Sequence, residues 1–232
     1  MLKLNRYLLG LDIYERHSIV SRILTKGESK SVIDVGGTSG LLQMFLNHFE
    51  VIAVNIDDSG DVRYRGEVLP FVDNAFDAAV SLDTLEHIPH RDRKGFVEEM
   101  LRVAKKEVIF CTPLGTELHR TIEIELNDAW RREFGEDHRF LMEHIDNGLP
   151  TLSEITKILA GKNYELLFVG DIRLAARLFR NYMRMLKHSN PLVRRFFVFL
   201  GLSSSFIFYF LKVTKEPDKF TNRVYAHIRN AN

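Results

Sequence analysis

The residues best suited to chemistry in the first third of the chain are Asp34-Val35-Gly36-Gly37-Thr38-Ser39-Gly40. A glycine-rich turn between an apolar strand and a helix brings backbone N–H groups together at one point, which favours an anion or a carboxylate. Thr38 stands where the dinucleotide pattern G-x-G-x-x-G needs its second glycine, which counts against NAD or FAD and so against a nicotinamide-dependent oxidoreductase. The bland alternative for such a loop is a tight turn with no ligand. A second concentration of polar chemistry lies between Thr116 and Gly148, which is rich in His and acids and holds the only tryptophan, Trp130.

These residues need a scaffold, and the pattern around them supplies one. Asp12 to Lys26 has helical periodicity. Ser31–Val35, Val51–Ile56, Val62–Tyr64, Phe76–Leu82 and Val108–Cys111 read as five strands, with helices predicted over Leu41–His48 and Asp92–Lys105. Strand and helix alternate up to Pro113, which implies a parallel sheet covered on both faces. Beyond it, Thr151–Ala160 reads as a capped helix, Tyr164–Val169 as a sixth strand, Ile172–Lys212 as helical and Arg223–Ile228 as a last strand. Asp77 reads as a turn residue, and Phe71 and Phe76 as core. With 232 residues, 45% of them hydrophobic, the chain can bury a sizeable core. It reads as one α/β domain over 1–232 with insertions at 115–150 and 172–215.

The order of motifs is more specific than the loop alone. Val32 to Gly40 resembles motif I of the class I S-adenosylmethionine-dependent methyltransferases. Leu69-Pro70-Phe71-Val72-Asp73-Asn74-Ala75-Phe76-Asp77-Ala78-Ala79-Val80-Ser81 resembles the middle motif of their type 11 subgroup, and Leu85-Glu86-His87-Ile88-Pro89 and Arg102-Val103-Ala104 follow in place. The resemblance covers about residues 28–114. It implies an α/β doubly wound, Rossmann-like fold with a mostly parallel seven-stranded sheet in the order 3-2-1-4-5-7-6, the last strand antiparallel. It also implies S-adenosylmethionine as cofactor. On this reading Asp34 sits near the methionine amino end, and Gly36, Gly37, Thr38 and Gly40 form the cofactor loop. Asp83 faces the methionine half, and Glu67 lies near the adenine amine. The family's ribose-binding acid is replaced by Asn55, whose single acceptor oxygen leaves part of that role to Asp57.

The segment after strand five is where this fold builds its acceptor site. Within it, Glu125-Leu126-Asn127, His138 and Phe140 to Pro150 resemble methyltransferases of surface-glycan biosynthesis. His138, Glu143 and His144 are the candidates for acceptor binding or a general base, since a hydroxyl acceptor must lose its proton as the methyl transfers. The spacing of these three does not by itself specify a metal site, and none is expected. His87 reads as a loop histidine bonded to backbone rather than as a base. The acceptor is expected to be a small molecule, a glycan or a lipid-linked compound.

Charge is distributed unevenly. The net charge is +1, yet 172–215 carries nine Lys and Arg and no acid, so the remainder carries a net −8. Arg173, Arg177, Arg180, Arg184 and Lys187 fall in one helical stripe. Phe196 to Leu211 then runs sixteen residues without a charge, interrupted by Ser203-Ser204-Ser205. Sixteen residues fall short of the roughly 20 that span a bilayer. The expectation is peripheral association with anionic lipid, with a lid over the sheet or a homodimer face as the alternatives. Nucleic acid is not expected, because the aromatics are not interleaved with the charges. The polar N-terminus and single Cys111 suit the cytoplasm, at the inner face of the membrane. A membrane-attached protein of the same fold that has lost catalysis is the rival from another class, supported by Asn55.

Overall fold

β1 (Ser31–Val35) pairs in parallel with β2 (Glu50–Asn55) on one edge and with β4 (Phe76–Leu82) on the other. A strand bonded on both edges and covered on both faces has no solvent side, which is why Val32, Ile33 and Val35 are all apolar and buried on either side of Asp34. β5 (Ala104–Pro113) continues the parallel set beside β4. β8 (Thr221–Arg229) then inserts antiparallel between β5 and β6 (Asn163–Asp171). Two-residue strands, β3 (Val62–Arg63) and β7 (Val213–Thr214), close the edges. The order is β3-β2-β1-β4-β5-β8-β6-β7. The expected seven-strand order is present, with Val213–Thr214 as an additional eighth strand. The computed structural model describes residues 6, 9–65, 68–203 and 211–230.

Helices cover both faces. On one, α2 (Arg93–Val103) and α5 (Leu152–Ile158) bury Val97, Met100, Val103 and Ile155 against Ile33, Ala79 and Phe110. On the other, α1 (Leu11–Leu24) buries Leu11, Val20 and Leu24 against Val32, Val80 and Ile109. After β5 come α3 (Glu117–Phe134) and α4 (Arg139–Asn147), with α6 (Ile172–Lys187) packed on them through Leu126, Leu141 and Ala176. α3 begins where the Thr116 hydroxyl accepts the His119 N–H at 3.1 Å, and it ends at Gly135, whose φ of 82° suits a residue without Cβ. Thr151 caps α5 by accepting the Glu154 N–H at 3.2 Å.

Several expected elements take different forms. The helix expected over Leu41–His48 is a single 3-10 turn, Leu42–Met44. The Gln43 amide donates to the carbonyls of Leu46 and Phe49 at 2.8 and 3.0 Å, removing acceptors that a helix would use and steering the chain into β2. The helix expected to reach Lys105 ends at Val103, because from Ala104 onward the backbone pairs with β4 and, from Glu107, with β8. The stretch Ile172–Lys212 is not one helix. α6 ends at Lys187 and α7 spans Pro191–Ser203. Phe206, Phe208 and Phe210 of the apolar run lie outside the described residues. Among those residues, no helix is long and apolar enough to cross a membrane.

Candidate active site

The parallel strands β1, β4 and β5 are neighbours, so the loops at their carboxyl ends open on the same edge of the sheet, where open α/β sheets bind ligands. The loop after β1 is the glycine loop. Gly36 has a φ of 84°, and a Cβ there would lie 2.2 Å from Thr84 Oγ1. A Cβ on Gly37 would lie 2.1 Å from Asp34 Oδ2. Gly36 thus makes room for Thr84, and Gly37 lets the chain cross over the Asp34 carboxylate. The loop is tied down from β2. Asn55 Nδ2 donates to the carbonyls of Gly36 and Gly37 at 3.2 and 3.0 Å, and Ser39 N donates to Ser59 O at 2.8 Å. Ser39 Oγ also bonds Asp61.

Asp34 is buried and its Oδ1 has no hydrogen-bond partner. Burial pushes its pKa up to about 7, against the pull of Arg16. A buried carboxylate oxygen left open beneath a loop whose Thr38, Ser39 and Gly40 face solvent is the feature that fits the amino end of an aminoacyl cofactor. The ribose side fits less simply. Asn55 spends its N–H groups on the loop and on Ser59 Oγ, while its Oδ1 accepts the Ile56 N–H at 2.8 Å. Asp57 is the exposed acid beyond it, its Oδ1 accepting the Ser59 N–H at 2.9 Å. Ile56, 55% exposed, adds an apolar surface beside the loop. Glu67 lies outside the described residues.

Asp83 follows β4 in the left-handed region, with φ 51°. Its carboxylate meets Arg223 of β8 and Arg16 of α1, which sits at 2.8 Å, and Arg223 also reaches Asp12 and lies 3.7 Å from Glu15. Burial alone would raise the Asp83 pKa, but the two guanidinium groups hold it well below the carboxylate range. Asp83 is thus placed as the counter-ion of two arginines, and Arg16 Nε remains buried without a partner.

The turn Leu85–His87 and the helices α3 and α4 carry a cluster of imidazoles and carboxylates. Asn147 Nδ2 donates to His87 O at 3.0 Å. The buried Arg93 guanidinium bonds Ile88 O, the Glu154 carboxylate and the carbonyls of Asn147 and Gly148, so one side chain fastens the turn to the ends of α4 and α5. In the cluster, His144 Nδ1 lies 2.8 Å from Glu123 Oε1, and its Nε2 is buried without a partner. Glu143 Oε2 lies 2.7 Å from His87 Nδ1, and the rings of His87 and His144 are 4.8 Å apart. Glu86 is buried against Thr112, whose hydroxyl donates to it at 3.0 Å; burial and the nearby Asp83 push its pKa up to about 8. Burial works against protonation of His144, yet the Glu123 carboxylate raises its pKa.

Of the expected acceptor-site residues, His144 and Glu143 come together and His138 stands apart. His138 caps α4, its Nδ1 accepting the Leu141 N–H at 3.3 Å, and packs edge-on against Trp130 and Phe179. His87, expected to serve only its own loop, instead turns its ring to His144 and Glu143. Glu86, Glu123, Arg16 and Arg223 were not anticipated. Glu86 stood in the quoted motif beside His87, but the partners of all four come from distant parts of the chain.

This sheet order, with a glycine loop after the central first strand, defines the Rossmann-like fold of class I methyltransferases. The methyltransferase domain family of type 11 matches residues 33–112. That match spans about a third of the chain, which over these residues is similar to the class I S-adenosylmethionine-dependent methyltransferases of this type. Among solved structures it is similar to a SAM-dependent methyltransferase from Thermotoga maritima, with 12% identity over 94% of this chain and 89% of that one and a TM-score of 0.53. It is also similar to the plantazolicin methyltransferase crystallised with S-adenosylhomocysteine, with 11% identity, coverage of 99% and 86%, and a TM-score of 0.54. Phosphoethanolamine N-methyltransferase 2 of Haemonchus contortus, bound to S-adenosylmethionine, shares 14% identity with a TM-score of 0.54, over 98% of this chain but 56% of that one. No curated protein sequence matches the chain.

Proposed function

We propose that the chain, as one domain, methylates a hydroxyl-bearing acceptor, either a small molecule, a glycan or a lipid-linked compound, held between the Leu85–His87 turn and the insertion 115–150. The observation that carries this reading is the position of the imidazole–carboxylate cluster. It lies on the loops after β4 and β5, beside the loop after β1 that receives the cofactor. When bound, S-adenosylmethionine supplies an activated methyl group for in-line displacement by the acceptor oxygen, leaving S-adenosylhomocysteine. Asp34 and the backbone of Gly36 to Gly40 hold its amino-acid end, and Asp57 takes over the ribose contact that Asn55 no longer offers. Asp83 fixes Arg16 at the same edge. The cluster around His144 takes up the acceptor's proton, and the Glu123 carboxylate fixes the ring that faces it. Holding acceptor and methyl in line accounts for much of the acceleration.

The test is calorimetry with S-adenosylhomocysteine followed by a methyl-transfer screen over hydroxylated and amine-bearing small molecules, sugars and lipid-linked sugars. Failure to bind S-adenosylhomocysteine sinks the reading of the loop. Binding with transfer only to nitrogen acceptors sinks the reading of the cluster.

A peripheral position on the inner face of the membrane is supported by α7, where Leu192, Phe196 and Phe199 are exposed beside Arg194 and Arg195. The stripe on α6 contributes less than its sequence suggests, because Arg173, Arg180 and Lys187 pair with Asp171, Glu125 and Glu133. Flotation with anionic vesicles tests it: wild type should rise with them, and a variant with Arg194 and Arg195 replaced by Glu should not. Wild type remaining in the pellet removes the membrane from the reading.

A further inference from the structure

We infer that Glu86, His87 and His144 form a binding site for a divalent transition-metal ion. One oxygen of the carboxylate and one nitrogen of each imidazole lie within 4.8 Å of one another. An ion about 2.1 Å from each donor would draw them to roughly 3–4 Å apart, a side-chain movement of about an ångström. Such a set, two imidazoles and one carboxylate, suits zinc, cobalt or iron(II) better than magnesium or calcium, which prefer oxygen.

The surroundings of the three donors support a metal more than a bare hydrogen-bond network. Metal-bound histidines commonly give their other ring nitrogen to a carboxylate, which fixes the ring and its tautomer. Here Glu123 bonds His144 Nδ1 at 2.8 Å, and Glu143 lies 2.7 Å from His87 Nδ1 without hydrogen-bond geometry. His144 Nε2 is then left buried with no protein partner. Glu86 is carried almost without exposure and is met by the Thr112 hydroxyl. Three protein donors leave coordination positions open, as at catalytic rather than structural sites.

The inference rests on the proposed function and specifies how its cluster acts. An ion here would bind the acceptor oxygen and stabilise its deprotonated form. The O–H bond would break, and the proton would pass to water at the open edge of the cluster. The oxygen's electron pair forms the new bond to the methyl carbon as the carbon–sulfur bond breaks. His144 is then a ligand, and its ring holds the ion where the acceptor arrives.

The experiment uses tag-free protein stripped with EDTA and titrated with Co2+, followed by visible absorption, with Zn2+ as competitor. One Co2+ per chain with ligand-field bands, displaced by Zn2+, is expected. His144→Ala and His87→Ala should each weaken binding at least 100-fold while still binding S-adenosylhomocysteine, which shows that they fold. Absence of Co2+ binding in wild type, or full binding in both variants, overturns the site. If stripped wild type binds S-adenosylhomocysteine and methylates at full rate, the metal is wrong and the methyltransferase reading stands. If it binds no S-adenosylhomocysteine either, the reading beneath the site fails with it.

Discussion

The side-chain amide of Asn55 is bonded to the carbonyl oxygen of Gly37, 3.0 Å away, and through it the end of β2 holds the loop after β1 closed. An acid in this place could not donate. Asn55→Asp would face a carboxylate toward two carbonyl oxygens and lose two hydrogen bonds, each worth about 1 kcal/mol. The variant should melt lower and bind S-adenosylhomocysteine about tenfold more weakly. An increase in affinity would show that position 55 reaches the ribose after all.

Gly37 in the loop and Gly135 at the end of α3 are needed for different reasons, and substitution separates them. Gly37→Ala drives a methyl into the Asp34 carboxylate, so S-adenosylhomocysteine affinity should fall at least tenfold. Gly135→Ala meets nothing within 4 Å but keeps a φ of 82°. It should cost about 1 kcal/mol of stability through backbone strain and leave affinity unchanged. Calorimetry and thermal melts on the pair decide this.

If the cofactor's amino end sits at Asp34 as proposed, cofactor affinity should depend on pH. Its carboxyl titrates near 7 because burial outweighs Arg16, with Asp61 adding to the upward push. Below that pH the group is neutral, and above it the carboxylate attracts the cofactor's ammonium. Affinity should therefore rise between pH 6 and pH 8 and level off above. Asp34→Asn should be weak at both values; an equally steep rise in the variant would assign the titration elsewhere.

His138 and His144 were alike in sequence and are not alike in place. His144→Ala should remove most methyl transfer while S-adenosylhomocysteine still binds. His138→Ala removes a helix cap, so it should lower stability by about 1 kcal/mol and spare most of the rate. Turnover beside melting temperature distinguishes them, and equal loss of rate would return His138 to the site.

Glu15 lies beneath the arginine cluster, where Tyr225 donates a hydrogen bond to it at 3.1 Å. Burial raises its pKa to about 7, in spite of Arg223. Between its unfolded value and 7 the folded protein holds a proton that the unfolded chain has released. Stability is therefore lost as pH climbs through this window, by about 3 kcal/mol at roughly 1.4 kcal/mol per unit. Glu15→Gln should flatten that slope, which urea denaturation at pH 5 and pH 8 would measure.

Much of the sheet was legible because its signals are local. Ile33 and Val80 sit in short strands that are apolar at most positions, as a strand covered on both faces requires. The glycine loop was legible for the same reason. The helix over Leu41–His48 was misread because its apolar spacing is helical, while the outcome turns on one side chain, Gln43, capping carbonyls farther on. The site was half legible. Asp34 and His144 belong to recognisable stretches. Glu123, Arg16 and Arg223 gain their meaning only when α3, α1 and β8 meet the turns after β4, and no short-range pattern encodes that meeting.

The grip of Arg93 on Ile88, Glu154, Asn147 and Gly148 bears on how this enzyme could change its substrate. On the proposed function, the acceptor wall contributed by 115–150 is not a cassette. Its far end is bolted to α2 by a guanidinium that belongs to the stretch matched by the methyltransferase family, 33–112. A graft of 115–150 onto a sister scaffold would arrive without its bolt unless 88–93 and Glu154 travel with it. New acceptors would therefore be reached more readily by point changes on the inward faces of α3 and α4 than by exchange of the whole segment.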